Sequence, residues 1–550
     1  MKKCSGKSVF GGIAVGKIKI IQKSRKEIKC VKTYDSEAEI SRFNQARDKA
    51  IQELQKLYEK ALKEVGEQNA AIFQIHQIML KDINYTKSVE DYLINQGVSA
   101  EFAVAATRDN FHEMFSLMSD EYMKSKAADV KDVSERVIRI LCHAETSIMD
   151  SKVPSIIVAD DLAPSEAVQL DKDMVLAFVT VHGSSNSHTA ILARTMNIPA
   201  IIGADIPLDS SINGKMAIVD GYNGVIYIEP DSQLASEMQA KQEKELDKKR
   251  LLLELKGKDT ITADGKKIML YANIGDTKDL DSVIDNDAGG IGLFRSEFIY
   301  LRKNSFPTEE EQFQIYKTVA ETLSNKKVVI RTLDIGADKQ ADYFNLEKEE
   351  NPAMGLRGIR LCLTNPEIFK TQLRALYRAS DFGQIAIMYP MITSVEELLE
   401  IKRISNEVKK ELDKKGISYN RDIKEGIMIE TPAAALISDK LAKEVDFFSI
   451  GTNDLSQYTL AIDRQNSKTD RFYNPYHLAV LRMIKMVVDN AHKNGIRAGI
   501  CGELGADLDM TETYLKIGVD ELSVTPSMIL PIRDKILKTD TSKLERQFDL

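Results

Sequence analysis

Seven side chains in this sequence stand where their type and spacing could do chemistry. Arg295 and Arg331 end the short apolar runs "GIGLFR" and "KVVIR", and Arg464 follows "GTNDLSQYTLAID". A guanidinium grips phosphate or carboxylate through a planar fork of donors, so three converging on one mouth imply a small, multiply anionic substrate. Glu430 and Asp454 follow two successive apolar runs, "EGIMI" and "VDFFSI". Two carboxylates beside an anionic ligand suit a hard divalent cation, Mg2+ above all, shared with the ligand's oxygens. An ion-pair cluster would explain any one of these pairs, but not all five residues. Cys501, in "GICGELG", lies among Gly499, Gly502 and Gly505, which are expected to thin the packing and leave room for a ligand. A thiol there could be a proton donor or a nucleophile. The seventh residue is His188, in "VHGSSNSHTAILAR". Ser187 is placed to cap a helix that starts near His188. The positive end of a helix dipole favours neutral, nucleophilic imidazole and would stabilise a phosphoryl group attached to it. A solitary surface histidine is the simpler alternative, and the anion site weighs against it.

These residues need elements to position them. From about residue 260 the texture is regular: "KIMLYANIG", "GIGLFRSEF", "KVVIRTLDIG", "IAIMYPMI", "EGIMIETP", "VDFFSIGTNDL", "IRAGICGELG" and "ELSVTP" alternate with helical-looking segments. Eight alternations predict a (β/α)8 barrel of TIM type, whose chemistry sits at the C-terminal ends of the strands. Asn273, Arg295, Asp334, Glu430, Asn453, Asp454, Cys501 and Glu503 fall at those ends.

The first half reads differently. Apolar residues Ile40, Phe43, Ala46, Ala50, Leu54, Leu57, Ala61 and Val65 recur at threes and fours, and no proline precedes Pro154. Residues 33–145 are expected to form a helical bundle inserted into an α/β domain made of residues 1–32 and 146–230. The charged segment 231–259 reads as a solvated helical linker, with a hinge, before a barrel domain over 260–550. Two motifs mislead. "GGIAVGKI" has Gly11, Gly16 and Lys17 at phosphate-loop spacing, but Ile18 replaces the Ser/Thr and the segment continues as a strand. "GGIGLFR" puts Arg295 where a dinucleotide fingerprint needs glycine.

Composition bounds the function classes. The chain has 550 residues, a net charge of −8 and five scattered cysteines. The acidic balance excludes an electrostatic case for nucleic acid. No apolar run spans a bilayer, so membrane insertion is not expected. The odd, scattered cysteines predict a reducing, cytoplasmic setting.

Taken together, "SHTAILAR", "GIGLFRSEFIY" with "PTEEEQF", "VVIRTLDIGADK", "EENPAMGLRGIR", "IETPAAA", "VDFFSIGTNDLSQYTLAIDR" and "CGELGAD" resemble Enzyme I of the phosphoenolpyruvate-dependent sugar phosphotransferase system, over nearly the whole chain. The resemblance implies a swivelling phosphohistidine α/β domain, a helical domain receiving the phosphocarrier protein HPr, and a barrel that binds phosphoenolpyruvate with Mg2+ and forms a homodimer. It implies phosphorylation of His188 on Nε2, with Arg295 and Arg331 holding the transferring group. Glu430 and Asp454 would be metal ligands, Asn453 and Arg464 substrate contacts, and Cys501 the acid that protonates the enolate carbon. Gly426 to Pro432 and Gly451 to Leu455 would frame the pocket, and "FQIHQIMLKD" and "DEYMKSKAADVKD" would dock the carrier. The sequence departs from the family at Gly183, Ser184, Ser185 and Asn186, where a Gly-Gly-Arg-Thr run is usual, and at Lys126, where arginine is common. A pyruvate phosphate dikinase would need an ATP-binding domain, for which no segment is spare. A non-catalytic phosphoenolpyruvate sensor would not need Cys501, Glu430 and Asp454, and the nitrogen-branch relative would carry a sensory domain before "SGKSVFGGIAVG".

Overall fold

The protein is described by a computed structural model covering residues 1–21, 28–33, 35–64, 66–118, 121–143, 153–160, 162, 170, 174–182, 190, 193, 198–336, 341–347, 349–464, 466 and 468–544. It divides into two compact units, Met1–Lys248 and Lys249–Leu550.

In the first unit, strands β1 (Lys2–Ser5), β2 (Lys7–Phe10), β3 (Ile13–Ile21), β4 (Ser155–Ala159), β5 (Val175–Thr180), β6 (Ala200–Ile202), β7 (Met216–Asp220) and β8 (Val225–Ile228) form one sheet. Its order is β1-β8-β7-β3-β4-β5-β6-β2. β3 and β4 are parallel neighbours, with Ile18 opposite Ile156, although the helical block lies between them in sequence. That block comprises α1 (Ser36–Glu64), α2 (Gly66–Lys81), α3 (Ile83–Gln96), α4 (Ala100–Ser116) and α5 (Glu121–Leu141). The stripe Phe43, Ala46, Ala50, Leu54, Leu57 and Ala61 is buried along one face of α1, as its spacing predicts. The Asp82 carboxylate caps α3 by accepting the N–H groups of Asn84 and Tyr85, and Ser99 caps α4. Helices and sheet bury separate apolar clusters, so the insertion carries its own core.

The "GGIAVGKI" segment runs into β3, where Gly16 pairs with Ala217 in an antiparallel ladder; it is strand, not a phosphate loop. The charged helix Ser232–Leu253 is solvated along most of its length, with Met238 as its one buried residue. Met238 packs with Ile13 and Ile218 on the sheet, and Gln242 Nε2 donates to Ile13 O at 3.0 Å. Its later apolar residues, Leu246, Leu251 and Leu253, are exposed.

The second unit is the barrel. β9 (Met269–Ile274), β10 (Gly290–Arg295), β11 (Lys327–Arg331), β12 (Ile385–Tyr389), β13 (Lys424–Ile429), β14 (Phe447–Ile450), β15 (Arg497–Ile500) and β16 (Glu521–Val524) close into a ring of parallel strands. "GGIGLFR" is β10 of this ring, which removes the dinucleotide reading. Helices such as Glu309–Leu323, Val395–Lys414 and Leu478–Lys493 return the chain between strands, and their apolar faces join one large core around the ring. Thr308 with Glu311, and Ser394 with Glu397, form capping boxes that fix two of the helix starts. The chain is thus a multidomain α/β protein with a closed eight-stranded barrel.

Candidate active site

A cavity of about 430 Å³ opens within the barrel unit and is lined by residues at the C-terminal ends of its strands. Arg295, Arg331, Glu430, Asn453, Asp454, Arg464 and Cys501 all line it. Residues from "GIGLFR" to "CGELG" meet there because a parallel closed ring brings every strand's C-terminal end to one rim.

The arginines differ in commitment. Arg331 is buried; its Nη2 donates to Glu297 at 2.5 Å and its Nη1 lies 2.9 Å from Asp334 Oδ2. Burial opposes its charge, but the carboxylates of Asp334, Glu297 and Glu430 outweigh that and raise its pKa. The Arg295 side chain makes no hydrogen bond or ion pair among the described residues. Arg464 reaches Glu503 at 3.7 Å, and its backbone N–H donates to Gln457 Oε1 at 3.2 Å.

Arg357 is a fourth guanidinium at the rim, and site reasoning from strand ends missed it. It is buried and bridges Asp334 at 3.3 Å and Asp454 at 3.4 Å, and donates to Tyr458 Oη at 3.2 Å. It follows Gly355 in a loop, not a strand, so the alternation pattern gave it no weight. "GLRGIR" within the resemblance was the available signal. Asp334 is the shared partner of Arg331 and Arg357, and holds the two arginines in one network.

Among the described residues Glu430 forms no ion pair, while Asp454 lies 3.4 Å from Arg357. Glu430 is buried directly after β13, and its Oε1 accepts the Met391 N–H at 2.7 Å. Burial, with Asp454 and Asp334 nearby, pushes its pKa up to about 8, against the opposing pull of Arg331 and Arg357. Asp454 does not end β14; it sits with Asn453 in the first turn of the helix Thr452–Leu460. Glu430 Oε2 and Asp454 Oδ2 make no hydrogen bond among the described residues. Gly451 lies between them in sequence, and a side chain there would begin 3.1 Å from Glu430 Oε2. Two oxygen donors with unspent lone pairs, in a site with excess negative charge, fit a hard divalent cation completed by substrate oxygens. Among the described residues no group of three or more His, Cys, Asp or Glu could hold a metal ion by itself.

Cys501 is buried beyond the end of β15, and its thiol lies 3.7 Å from Ile450 O. Burial is the main cause that raises its pKa, to about 11; Ser449 opposes the shift and Glu430 adds to it. The group is therefore a thiol, suited to giving a proton and poor as a thiolate nucleophile. Two of the nearby glycines make room for neighbouring protein, although Gly502 also lines the cavity. A Cβ on Gly499 would lie 2.8 Å from Glu521 Cβ, and one on Gly502 1.9 Å from Thr452 Oγ1, so they admit neighbouring protein atoms. Asn453 Oδ1 accepts the Glu503 N–H at 3.0 Å. Asn273 does not line the cavity; its side chain is engaged within the ring. Gly426 is inside β13, so of the expected frame only the residues from Glu430 onward lie beyond the strand.

His188, with Ser187 and Gly183 to Asn186, lies outside the described residues. Lys126, on α5, lies 2.9 Å from Asp129 of its own helix.

Family profiles match the chain along most of its length. The profile for "PEP-utilising enzyme, PEP-binding domain" matches residues 249–541. Those for "PEP-utilising enzyme, N-terminal" and "PEP-utilising enzyme, mobile domain" match 5–126 and 152–224. The phosphoenolpyruvate-protein phosphotransferase of Bacillus subtilis is 43% identical over 99% of this chain and 96% of its own length. That of Staphylococcus carnosus is 40% identical over 99% and 95%. With three PEP-utilising profiles along it and full-length likeness at this level, the chain belongs to the phosphoenolpyruvate-protein phosphotransferases, the Enzyme I family.

Proposed function

We propose that this enzyme takes the phosphoryl group of phosphoenolpyruvate onto His188 and passes it to the histidine of HPr, releasing pyruvate as the first step of sugar uptake by the phosphotransferase system. The observation that supports this best is the barrel rim itself. It gathers guanidinium groups, paired carboxylates and a protonated thiol around one cavity. Arg295, whose side chain has no ion pair among the described residues, and Arg331 hold the transferring phosphoryl group; Asn453 and Arg464 hold the rest of the substrate. Glu430 and Asp454 are the residues that would hold Mg2+, which when bound neutralises phosphate charge. Catalysis of the transfer is mostly positioning and charge neutralisation. As the P–O bond breaks, the enolate carbon C3 takes the Cys501 proton. The S–H pair stays on sulfur, the C=C pair forms the new C–H bond, and the C2 oxygen becomes the ketone of pyruvate.

In this reading residues 1–32 and 146–230 form the phosphohistidine domain, 33–145 the carrier-docking domain, 231–259 the linker and 260–550 the barrel, which pairs as a homodimer in the cytoplasm. Among the described residues no helix is long and apolar enough to cross a membrane. The test is incubation with labelled phosphoenolpyruvate and Mg2+, followed by mapping of acid-labile phosphate. Label on His188, absent in His188→Ala while substrate binding persists, is the expected result; label elsewhere overturns the assignment.

A further inference from the structure

Asn273 is the one of the eight strand-end residues that does not line the cavity. It stands on β9, half-buried, and its amide is fully used. Nδ2 donates to two carbonyls, Cys501 O and Ser523 O, both at 2.9 Å. Oδ1 accepts the Ser523 hydroxyl at 2.6 Å. Only this orientation of the amide satisfies all three contacts, because a carbonyl cannot donate and Nδ2 cannot accept.

The placement is not incidental to Cys501. β9 and β15 are not neighbours; β16 lies between them. The β15–β16 ladder pairs Gly499 with Glu521 and Ile500 with Leu522, and Cys501 is the next residue beyond. On the other side the Cys501 N–H still donates to Ile450 O at 3.1 Å. The Cys501 carbonyl, past the ladder's last pair, is held instead by a side chain reaching across β16. Gly292 on β10 makes room for this bridge, since a Cβ there would lie 2.3 Å from Ser523 Oγ. The residue bearing the thiol is thus clamped at its N–H by β14 and at its C=O by Asn273.

We propose that Asn273 is a positioning residue for the enolate-protonation step, fixing the Cys501 backbone so that the thiol meets one face of the substrate carbon. This rests on the reading of Cys501 as the acid. Asn273 itself need not touch substrate. Its loss should leave phosphoryl transfer alone and degrade proton delivery, because a small misplacement of a reacting group costs rate steeply.

The test uses the full chain with (Z)-3-fluorophosphoenolpyruvate in deuterium oxide. The fluoropyruvate is trapped by reduction, and the configuration at C3 is read by fluorine NMR. The native enzyme should give one configuration in excess, and Cys501→Ala should lose that excess. Asn273→Ala should lose most of it as well, with kcat for phosphoenolpyruvate down by about tenfold or more and KM within about twofold. The single-turnover phosphorylation of His188 should keep its amplitude. Ser523→Ala, which frees the amide from its hydroxyl partner without emptying the site, should show the same pattern more weakly, and serves if Asn273→Ala does not fold. Full facial selectivity in both variants overturns the proposal. So does a rise in KM with selectivity intact, which would make Asn273 a substrate contact. Selectivity retained in Cys501→Ala would instead sink the reading of Cys501 as the acid.

Discussion

Arg295 and Arg331 are register partners on adjacent strands, β10 and β11, yet their surroundings are opposite. Arg331 is buried between the carboxylates of Glu297 and Asp334, while Arg295 has no charged partner among the described residues. The two should therefore fail differently. Arg295→Ala should cut phosphoryl transfer at least a hundredfold with little change in unfolding midpoint. Arg331→Met takes the cation from a buried ion-pair cluster with Glu297 and Asp334, a kind of change that costs about 3–5 kcal/mol, and should lower stability as well as activity. Urea unfolding of both variants, beside a transfer assay, checks this; equal stability losses would show that the two arginines share one structural role.

The Cys501 thiol should resist alkylation. Its pKa is raised to about 11 by burial, with Ser449 opposing and Glu430 adding to the shift. Raised above its ordinary 9.0, the group contributes stability that is fully present below pH about 9 and lost as pH climbs through about 11. At pH 8 the exposed Cys30 and Cys142 should react with iodoacetamide well before Cys501. Mass spectrometry of tryptic peptides over a pH series reads the order. Rapid labelling of Cys501 at neutral pH would contradict both its burial and its role as a stored proton.

Glu430→Gln should separate metal binding from fold stability. The glutamine keeps an oxygen for the Met391 N–H and replaces a carboxyl group whose ionisation burial, Asp454 and Asp334 disfavour. Without metal, the thermal midpoint of this variant should not fall below that of the native chain. Calorimetric titration should show phosphoenolpyruvate affinity losing its dependence on Mg2+. A native-like metal dependence would remove Glu430 from the ligand set.

The two compact units should also be separable. Each buries its own apolar clusters, so fragments 1–248 and 249–550 are expected to fold alone. The second should bind phosphoenolpyruvate with Mg2+; the first should accept phosphate on His188 from phosphorylated HPr and leave phosphoenolpyruvate untouched. Circular dichroism melting and the labelling assay together decide it. Consumption of phosphoenolpyruvate by the first fragment would place the substrate site wrongly.

The sequence by itself determined the barrel and most of its rim. Apolar runs alternating with helical spacing fix strand and helix locally, and the parallel ring carries each strand's last residues to one face, so Arg295, Arg331, Glu430 and Cys501 were legible from position alone. Tertiary structure decided what local pattern cannot encode. Arg357 reaches the cavity from a loop, and its weight comes from Asp334 and Asp454, which are distant in sequence. The same holds for Gly499 and Gly502, whose missing side chains admit Glu521 and Thr452. Asn273 looked like a site residue because it ends a strand, yet its amide is spent on carbonyls of β16 and of Cys501. Helix and strand follow from neighbours a few residues apart; ion pairs, bridging amides and close backbone contacts follow from closure of the ring, which joins residues hundreds of positions apart.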